Sequence, residues 1–208
     1  MKTEVLLAQA PSTLPRALAI LRGGGLVAFP TDTVYGVGAL AFDAAAVEKI
    51  YEAKGRSTEK AIPILLGDTA DLEKVTAQAS EMALRLAARF WPGPLTLVVP
   101  KHPSIPDALS PLPTVGVRVP DHPVARALLR AAGPMAVTSA NLSGQASPST
   151  AEEVLVQLVG RIALIIDGGK TPDGVPSTVV NCAGAEPQIL REGPITLAQI
   201  KAILTPGT

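Results

Sequence analysis

The chain has 208 residues, of which 47% are hydrophobic and 17% are charged. This length and composition predict one folded domain over residues 1–208 and exclude a disordered chain. Eighteen basic and eighteen acidic side chains cancel to a formal net charge of zero. Proteins that bind nucleic acids by counterion release normally carry a basic excess. The balance therefore argues against general DNA or RNA binding, although a local basic cluster stays open.

Helix and strand patterns alternate along the whole chain. In the first half, the pattern predicts a helix over 14–21 with Thr13 as its cap, a helix from a cap at Asp43 to a stop at Gly55, and a helix over 81–90. It predicts strands over 26–29, 62–66 and 95–99, and an extended segment over 34–40. The second half predicts a strand over 115–119, a helix over 123–131, a strand over 135–138, a helix opened by a capping box of Thr150 and Glu153, strands over 162–166, 178–180 and 188–190, and a helix over 197–203.

Apolar strands separated by helices predict an α/β protein with helices on both faces of its sheet. Some of the connections between strands contain no helix, so the sheet is predicted to be mixed.

Cysteine and histidine are too few for several kinds of site. Cys182 is the only cysteine, and the two histidines are His102 and His122, so no disulfide within the chain and no metal site are predicted. The N-terminal segment lacks a signal-peptide core, and no apolar run reaches the roughly 18 residues of a membrane span. We expect a cytoplasmic protein that does not associate with membranes.

Common catalytic motifs are also missing. The sequence has no GxxxxGK[ST] phosphate loop and no G-x-S-x-G elbow. Gly36, Gly38 and Ala41 match G-x-G-x-x-A, but the next helix begins only after Asp43, so a dinucleotide site is not predicted.

Polar and cationic residues cluster where predicted strands or helices end. The clusters are residues 29–36, the run Lys54-Gly55-Arg56 with Lys60, Arg118 within 117–120, and residues 138–144, 176–178 and 191–194. Each alone is explained by a turn, a helix C-terminus or a buried ion pair. Together they indicate a site that binds and orients an anionic substrate, without a covalent enzyme intermediate.

Ordered motifs from about Gly25 to Leu197 resemble those of the YrdC family of threonylcarbamoyl-AMP synthases. They are FPTDTVYGVGA, KGR with the following lysine, WPGPLTLV, VGVRVP, TSANLSG, SPST, IIDGG, PSTVV and LREG. The resemblance implies a twisted open α/β sheet with a concave, positively lined cavity. It also implies an enzyme that converts L-threonine, bicarbonate and ATP into threonylcarbamoyl-AMP and pyrophosphate. Longer family members carry a further C-terminal domain, for which we expect no room here.

The resemblance also implies roles for individual residues. Lys54 and Arg56 resemble the catalytic basic pair that faces the phosphates and the carbamate, and Arg118 resembles the partner of the substrate carboxylate. The remaining matches are the ATP contacts Thr114, Ser139, Asn141, Ser147 and Arg191, which join Lys54, and the threonine contacts Thr33, Val137 and Ser177, which join Arg118. We expect Lys54, Arg56, Arg118 and Arg191 to meet in one hollow.

The chemistry implied by the resemblance brings cofactors and partners with it. Mg²⁺ is expected to be bound mainly through the ATP phosphates, because no carboxylate cage is evident in the sequence. A separate transferase would pass the threonylcarbamoyl group to the adenosine beside the anticodon of tRNA. At the position aligned with a substrate-proximal histidine of some family members, this chain has Gly67.

Two other functions stay open at this point. One is an RNA-binding or ribosome-assembly module, since a positively lined hollow would also accept RNA weakly, although only 3% of the residues are aromatic and available to stack bases. The other is carbamoyl adenylation from carbamoyl phosphate, the task of a related domain in hydrogenase maturation. That domain normally belongs to a larger chain with zinc-finger-like cysteines, which this sequence lacks.

Overall fold

The computed structural model describes residues 2–172 and 174–205. The strands are β1 Glu4–Leu7, β2 Val27–Phe29, β3 Gly36–Leu40, β4 Ile64–Leu65, β5 Leu95–Pro100, β6 Thr114–Arg118, β7 Met135–Ser139, β8 Leu164–Asp167, β9 Thr178–Asn181 and β10 Gln188–Arg191. The helices are α1 Thr13–Arg22, α2 Ala44–Lys54, a 3₁₀-helix Thr69–Lys74, α3 Glu81–Phe90, α4 Pro123–Ala132, α5 Ala151–Leu158 and α6 Leu197–Leu204.

Within these described ranges, the strands form one ten-stranded sheet in the order β1-β8-β2-β3-β7-β4-β6-β5-β9-β10. The pairs β1/β8, β2/β8, β4/β6 and β5/β9 are parallel, and the other neighbours are antiparallel. The predicted α/β class and the predicted mixed sheet are confirmed.

Side chains alternate between the two faces of the sheet, and each face carries its own apolar cluster. Helices α2, α3, α5 and α6 pack on one face, against strand residues such as Val117. Helices α1 and α4 pack on the other face, over strand residues such as Phe29. Over β5 and β6 this second face is a cavity, lined by Thr96, Thr114 and Arg118. Helices therefore lie on both faces, as predicted, and the second face stays uncovered over β5 and β6, where an apolar helix would bury these polar side chains at the cost of their hydration.

Helix α2 begins and ends where the sequence predicts. The Asp43 carboxylate accepts a hydrogen bond of 3.0 Å from the Ala46 N–H, which caps the helix. Gly55 follows the last turn with φ of 58°, a left-handed conformation that glycine adopts without a Cβ clash. Lys54 is therefore the last residue of the helix, and Arg56 belongs to the segment that follows it.

The start of the chain differs from the prediction. Thr13 lies in the first turn of α1 rather than at its cap, which is Ser12. The Thr13 hydroxyl donates to the Leu7 carbonyl at 2.7 Å, so it joins the helix to β1 instead of capping it. Strand β1 itself was not predicted, because Glu4 interrupts its short apolar pattern.

Two further predictions are only partly right. Thr150 caps α5 by accepting from the Glu153 N–H at 3.3 Å, but the Glu153 carboxylate accepts from the Ser149 N–H, so the capping box is half formed. Strand β4 has two residues instead of the predicted 62–66, since Pro63 has no N–H to donate to a neighbouring strand. No helix in residues 2–172 and 174–205 combines the length and apolar content needed to cross a bilayer.

Candidate active site

A cavity of about 550 Å³ lies on the open part of the second face. Alternate residues of two strands form its floor, namely Thr96 and Val98 of β5 and Thr114 and Gly116 of β6, and Val137 of β7 lies beside them. The residues between them point to the opposite face and belong to the core. The period-2 alternation of the strands therefore separates the cavity from the core.

Arg56 enters the cavity from the segment after α2. Its Nε donates to the Lys60 carbonyl at 3.2 Å and its Nη2 to the Ala61 carbonyl at 3.1 Å. Burial lowers the pKa of this guanidinium, which nevertheless stays protonated at neutral pH. Main-chain carbonyls thus hold one side of the guanidinium, while its positive charge lines the cavity.

Arg118 lies at the end of β6 and is 5% exposed. Its Nη2 donates to the Asp32 carboxylate at 2.5 Å, its Nη1 to the Thr33 hydroxyl at 3.0 Å and its Nε to the Gly93 carbonyl at 2.9 Å. A buried guanidinium is tolerated because a carboxylate and further acceptors surround it. Arg118 thus has an internal acidic partner and also lines the cavity.

Arg191 reaches the cavity from β10. Its Nε and Nη2 donate to the Ser177 carbonyl at 3.0 and 2.8 Å, and its Nη2 also donates to the Ser177 hydroxyl at 3.1 Å. Burial and, secondly, the positive charge of Arg56 lower the pKa of Arg191. Both guanidiniums line the same cavity, so an anion bound there would offset their mutual repulsion.

Lys54 does not line the cavity, although the sequence predicts that it meets the three arginines there. The side chain is 2% exposed, and its ammonium donates to the carbonyls of Ser139 and Asn141, each at 2.5 Å. Burial and, secondly, the charge of Arg56 lower the pKa of Lys54 to about 8. Lys54 therefore lies behind the cavity wall, where it holds the segment after β7.

Asn141 also lies outside the lining. Its side-chain amide donates to the Leu142 and Gln145 carbonyls at 2.8 and 2.9 Å, which fixes the turn that follows β7. The other predicted contacts do line the cavity: Thr33, Thr114, Val137, Ser139, Ser147 and Ser177. The structure therefore brings together nine of the eleven predicted site residues and leaves Lys54 and Asn141 behind them.

Position 67 is not part of the cavity lining. A Cβ on Gly67 would lie 2.9 Å from the Arg130 backbone nitrogen and 3.1 Å from its Cα, so α4 packs directly against this glycine. The residue of this segment that lines the cavity is Leu65. In this packing a larger side chain at position 67 would therefore meet α4. The alignment of Gly67 with the histidine of some family members stays a prediction.

Thr96 and Asn181 line the cavity but were not predicted as site residues. Thr96 is a polar residue between Leu95 and Leu97, which both lie in the core. A polar side chain between two core residues of one strand must point to the opposite face. That alternation is the signal that would have identified it.

Among the described residues that line the cavity, none is aspartate or glutamate. The described part of the chain also has no group of three histidine, cysteine, aspartate or glutamate side chains placed to hold a metal ion. The lining instead offers guanidiniums, hydroxyls and the Asn181 amide. These groups bind phosphates and carboxylates rather than bare cations.

Comparisons with known proteins agree with this geometry. The model of the Sua5/YciO/YrdC family, which carries the description "Telomere recombination", matches residues 19–193. The chain is 51% identical over 199 residues to the threonylcarbamoyl-AMP synthase of Bacillus subtilis, covering 93% of this chain and 57% of that protein.

Two solved structures are similar as well. The crystal structure of Pyrococcus abyssi Sua5 in complex with L-threonine superposes with a TM-score of 0.93 at 40% identity, covering 98% of this chain and 61% of that one. Escherichia coli YciO has a TM-score of 0.84 at 29% identity, with 96% and 98% covered. The chain therefore spans little more than half the length of the B. subtilis and P. abyssi proteins. Fold, motifs and family model agree that this chain belongs to the Sua5/YciO/YrdC family.

Proposed function

We propose that this protein is a threonylcarbamoyl-AMP synthase, which joins L-threonine, bicarbonate and ATP and releases pyrophosphate. The observation that carries the proposal is the convergence of Arg56, Arg118 and Arg191 on one cavity whose described lining has no acidic residue. The reaction brings together a carboxylate, a carbamate and a triphosphate, all of them anions. The named activity of the B. subtilis relative and the threonine bound to P. abyssi Sua5 support the same reaction.

The proposed chemistry needs positioning more than it needs a nucleophile from the protein. The threonine amine and bicarbonate form a carbamate with loss of water, and a carbamate oxygen then attacks the α-phosphorus and displaces pyrophosphate. Guanidiniums held in place before the reaction stabilise the negative charge on the phosphorane-like transition state and on the leaving group. Arg56 and Arg191 are proposed to serve the phosphates.

Arg118 is proposed to bind the threonine carboxylate. Its planar fork matches a carboxylate geometrically, and Asp32 holds the guanidinium so that it does not have to reorganise when substrate arrives. Thr33, Val137 and Ser177 are proposed to contact the rest of the amino acid, and Thr114, Ser139 and Ser147 the nucleotide.

Lys54 and Asn141 are proposed to support the cavity wall by hydrogen-bonding backbone carbonyls at the end of β7 and in the turn that follows it. Lys54 holds the Ser139 and Asn141 carbonyls, which keeps the Ser139 side of the cavity in place. The ammonium has three protons, so these two hydrogen bonds leave one N–H for a further acceptor.

Mg²⁺ is proposed to enter as part of the substrate MgATP. The hydroxyls and guanidiniums of the lining offer no carboxylate oxygens for a resident ion, whereas the triphosphate supplies its own oxygen ligands. The chain is further proposed to act in the cytoplasm and to supply a separate transferase that modifies tRNA beside the anticodon.

Pyrophosphate release from MgATP tests the proposal directly. Release is expected to require both L-threonine and bicarbonate, so that omitting either one lowers the rate to background. Mass spectrometry of the mixture is expected to show threonylcarbamoyl-AMP. Release that needs neither co-substrate would refute the proposed reaction, and release that needs only carbamoyl phosphate would indicate carbamoyl adenylation instead.

A further inference from the structure

Two hydroxyls meet on the floor of the cavity. The Oγ1 of Thr96 lies 2.8 Å from the Oγ of Ser177, and both side chains are buried. Among the residues that the structure describes, Ser177 Oγ is the hydroxyl partner of Thr96, and Arg191 Nη2 is the only other group bonded to Ser177 Oγ. One hydrogen-bond network therefore joins strand β5, the segment before β9 and strand β10.

The hydroxyl protons of this hydrogen-bond network can be counted. Each hydroxyl has one proton and two lone pairs, and a guanidinium only donates. The Thr96–Ser177 bond uses one of the two hydroxyl protons, whichever group donates it. The other proton has no acceptor among the described residues, and both side chains line the cavity. The pair thus presents one O–H donor to a ligand.

Either hydroxyl can donate in the Thr96–Ser177 bond, and Arg191 Nη2 donates to Ser177 Oγ in both cases. If Thr96 also donates to Ser177, both lone pairs of Ser177 Oγ are engaged and the Ser177 proton points toward the ligand. A hydroxyl that accepts two hydrogen bonds is a stronger donor itself, because hydrogen bonds in a chain polarise one another.

We propose that Thr96 is a positioning residue, which fixes the Ser177 hydroxyl in one rotamer so that the pair presents one O–H donor to the bound substrate. Thr96 acts through Ser177. The identity of that substrate as L-threonine rests on the proposed function, whereas the ordering of Ser177 does not.

Thr96→Val tests this proposal, because valine keeps the shape of threonine and removes the hydroxyl. The KM for L-threonine in pyrophosphate release is expected to rise about fivefold, the size expected for one neutral hydrogen bond, while the KM for MgATP stays within about twofold. Thr96→Ser keeps a hydroxyl at the same place and is expected to restore the threonine KM to within about twofold of the original value.

A double-mutant cycle separates positioning from general damage. Ser177→Ala is expected to raise the threonine KM by itself, and adding Thr96→Val to it is expected to raise it no further, since Thr96 acts through the serine hydroxyl. Thr13→Val is the matched control, because it removes another buried threonine hydroxyl, one that does not line the cavity, and it is expected to leave both KM values unchanged. Additive effects in the cycle would overturn the proposal.

A crystal structure of Thr96→Val gives a readout that does not depend on the reaction. Ser177 is expected to occupy more than one rotamer in that variant and a single rotamer in Thr96→Ser. A single unchanged rotamer in Thr96→Val overturns the proposal whatever the substrate is. Disorder of Ser177 together with pyrophosphate release that ignores threonine would support the positioning role and reject the proposed function.

Discussion

At the scale of single residues, Arg56 combines a fixed geometry with a charge that lines the cavity. Its guanidinium is held by the Lys60 and Ala61 carbonyls, so it does not have to be ordered when substrate binds. Arg56→Ala is expected to lower kcat for pyrophosphate release about 100-fold or more, as for loss of a preorganised electrostatic contact. Arg22→Ala, at the exposed end of α1, is the control and is expected to retain full activity. Full activity of a folded Arg56→Ala protein would remove this residue from the site.

The lowered pKa of Lys54 predicts that the free energy of unfolding depends on pH. Burial lowers its pKa from 10.5 to about 8 in the folded protein, so the unfolded chain binds more protons between these two values. The free energy of unfolding is therefore expected to rise with pH across that window, and to lose this contribution as the pH falls toward 8.

Urea unfolding of the native protein and of Lys54→Met at several pH values measures this contribution. The difference between the two unfolding free energies, native minus variant, is expected to grow from pH 8 to 10.5 and to stay constant below about pH 7. A difference that does not change between pH 8 and 10.5 would show that Lys54 keeps its ordinary pKa.

The sequence predicts which residue types serve the site better than it predicts where they point. Arg56 and Arg191 were predicted as cavity residues, and both line the cavity. Lys54 lies only two residues from Arg56, but its ammonium is buried against the Ser139 and Asn141 carbonyls and does not line the cavity. These carbonyls lie 85 and 87 residues further along the chain, so no local pattern predicts the contact.

At the scale of elements, β3 shows how closely the strands near the site approach one another. A Cβ at Gly38 would lie 2.6 Å from the Ala136 carbonyl oxygen and 2.8 Å from Val137 Cγ2. Gly38→Ala is expected to destabilise the protein by about 1–3 kcal/mol in chemical denaturation, the usual cost of overpacking. Gly184→Ala, which meets only the Glu186 oxygen at 3.9 Å, is expected to change stability by less than about 0.5 kcal/mol. Equal effects of the two substitutions would contradict this packing.

Elements with caps or stops in the sequence were predicted almost to the residue. Helix α3 covers the predicted 81–90, since Ser80 caps it and Pro92 cannot continue it. Strand β1 and the two-residue β4 are different, because their pairing with distant strands defines them rather than their own composition. Local patterns therefore give the helices, and long-range pairing decides the short strands.

At the scale of the whole molecule, one face of the sheet carries the main apolar core and the other carries the cavity. One face is covered by four helices, and the cavity occupies part of the other. Cys182 belongs to the covered core, is 1% exposed, and has its pKa raised to about 12 by burial. Its thiol therefore reports on opening of that core.

A thiol reagent at pH 8 is expected to label Cys182 in the folded protein at least about a thousandfold more slowly than in the unfolded chain, because reaction requires opening of the core. In denaturant, one thiol per chain is expected to react at once. Rapid labelling without denaturant would show that the core opens far more readily than this packing allows.

The pairing of β1 has a consequence for synthesis of the chain. In the described ranges, β1 pairs only with β8, with Glu4 opposite Leu164 and Leu7 opposite Asp167. During synthesis β1 must therefore wait, unpaired, until some 160 further residues have followed it. A nascent chain halted before β8 emerges will leave its N-terminal segment accessible to proteases, whereas one halted well after β8 will protect it.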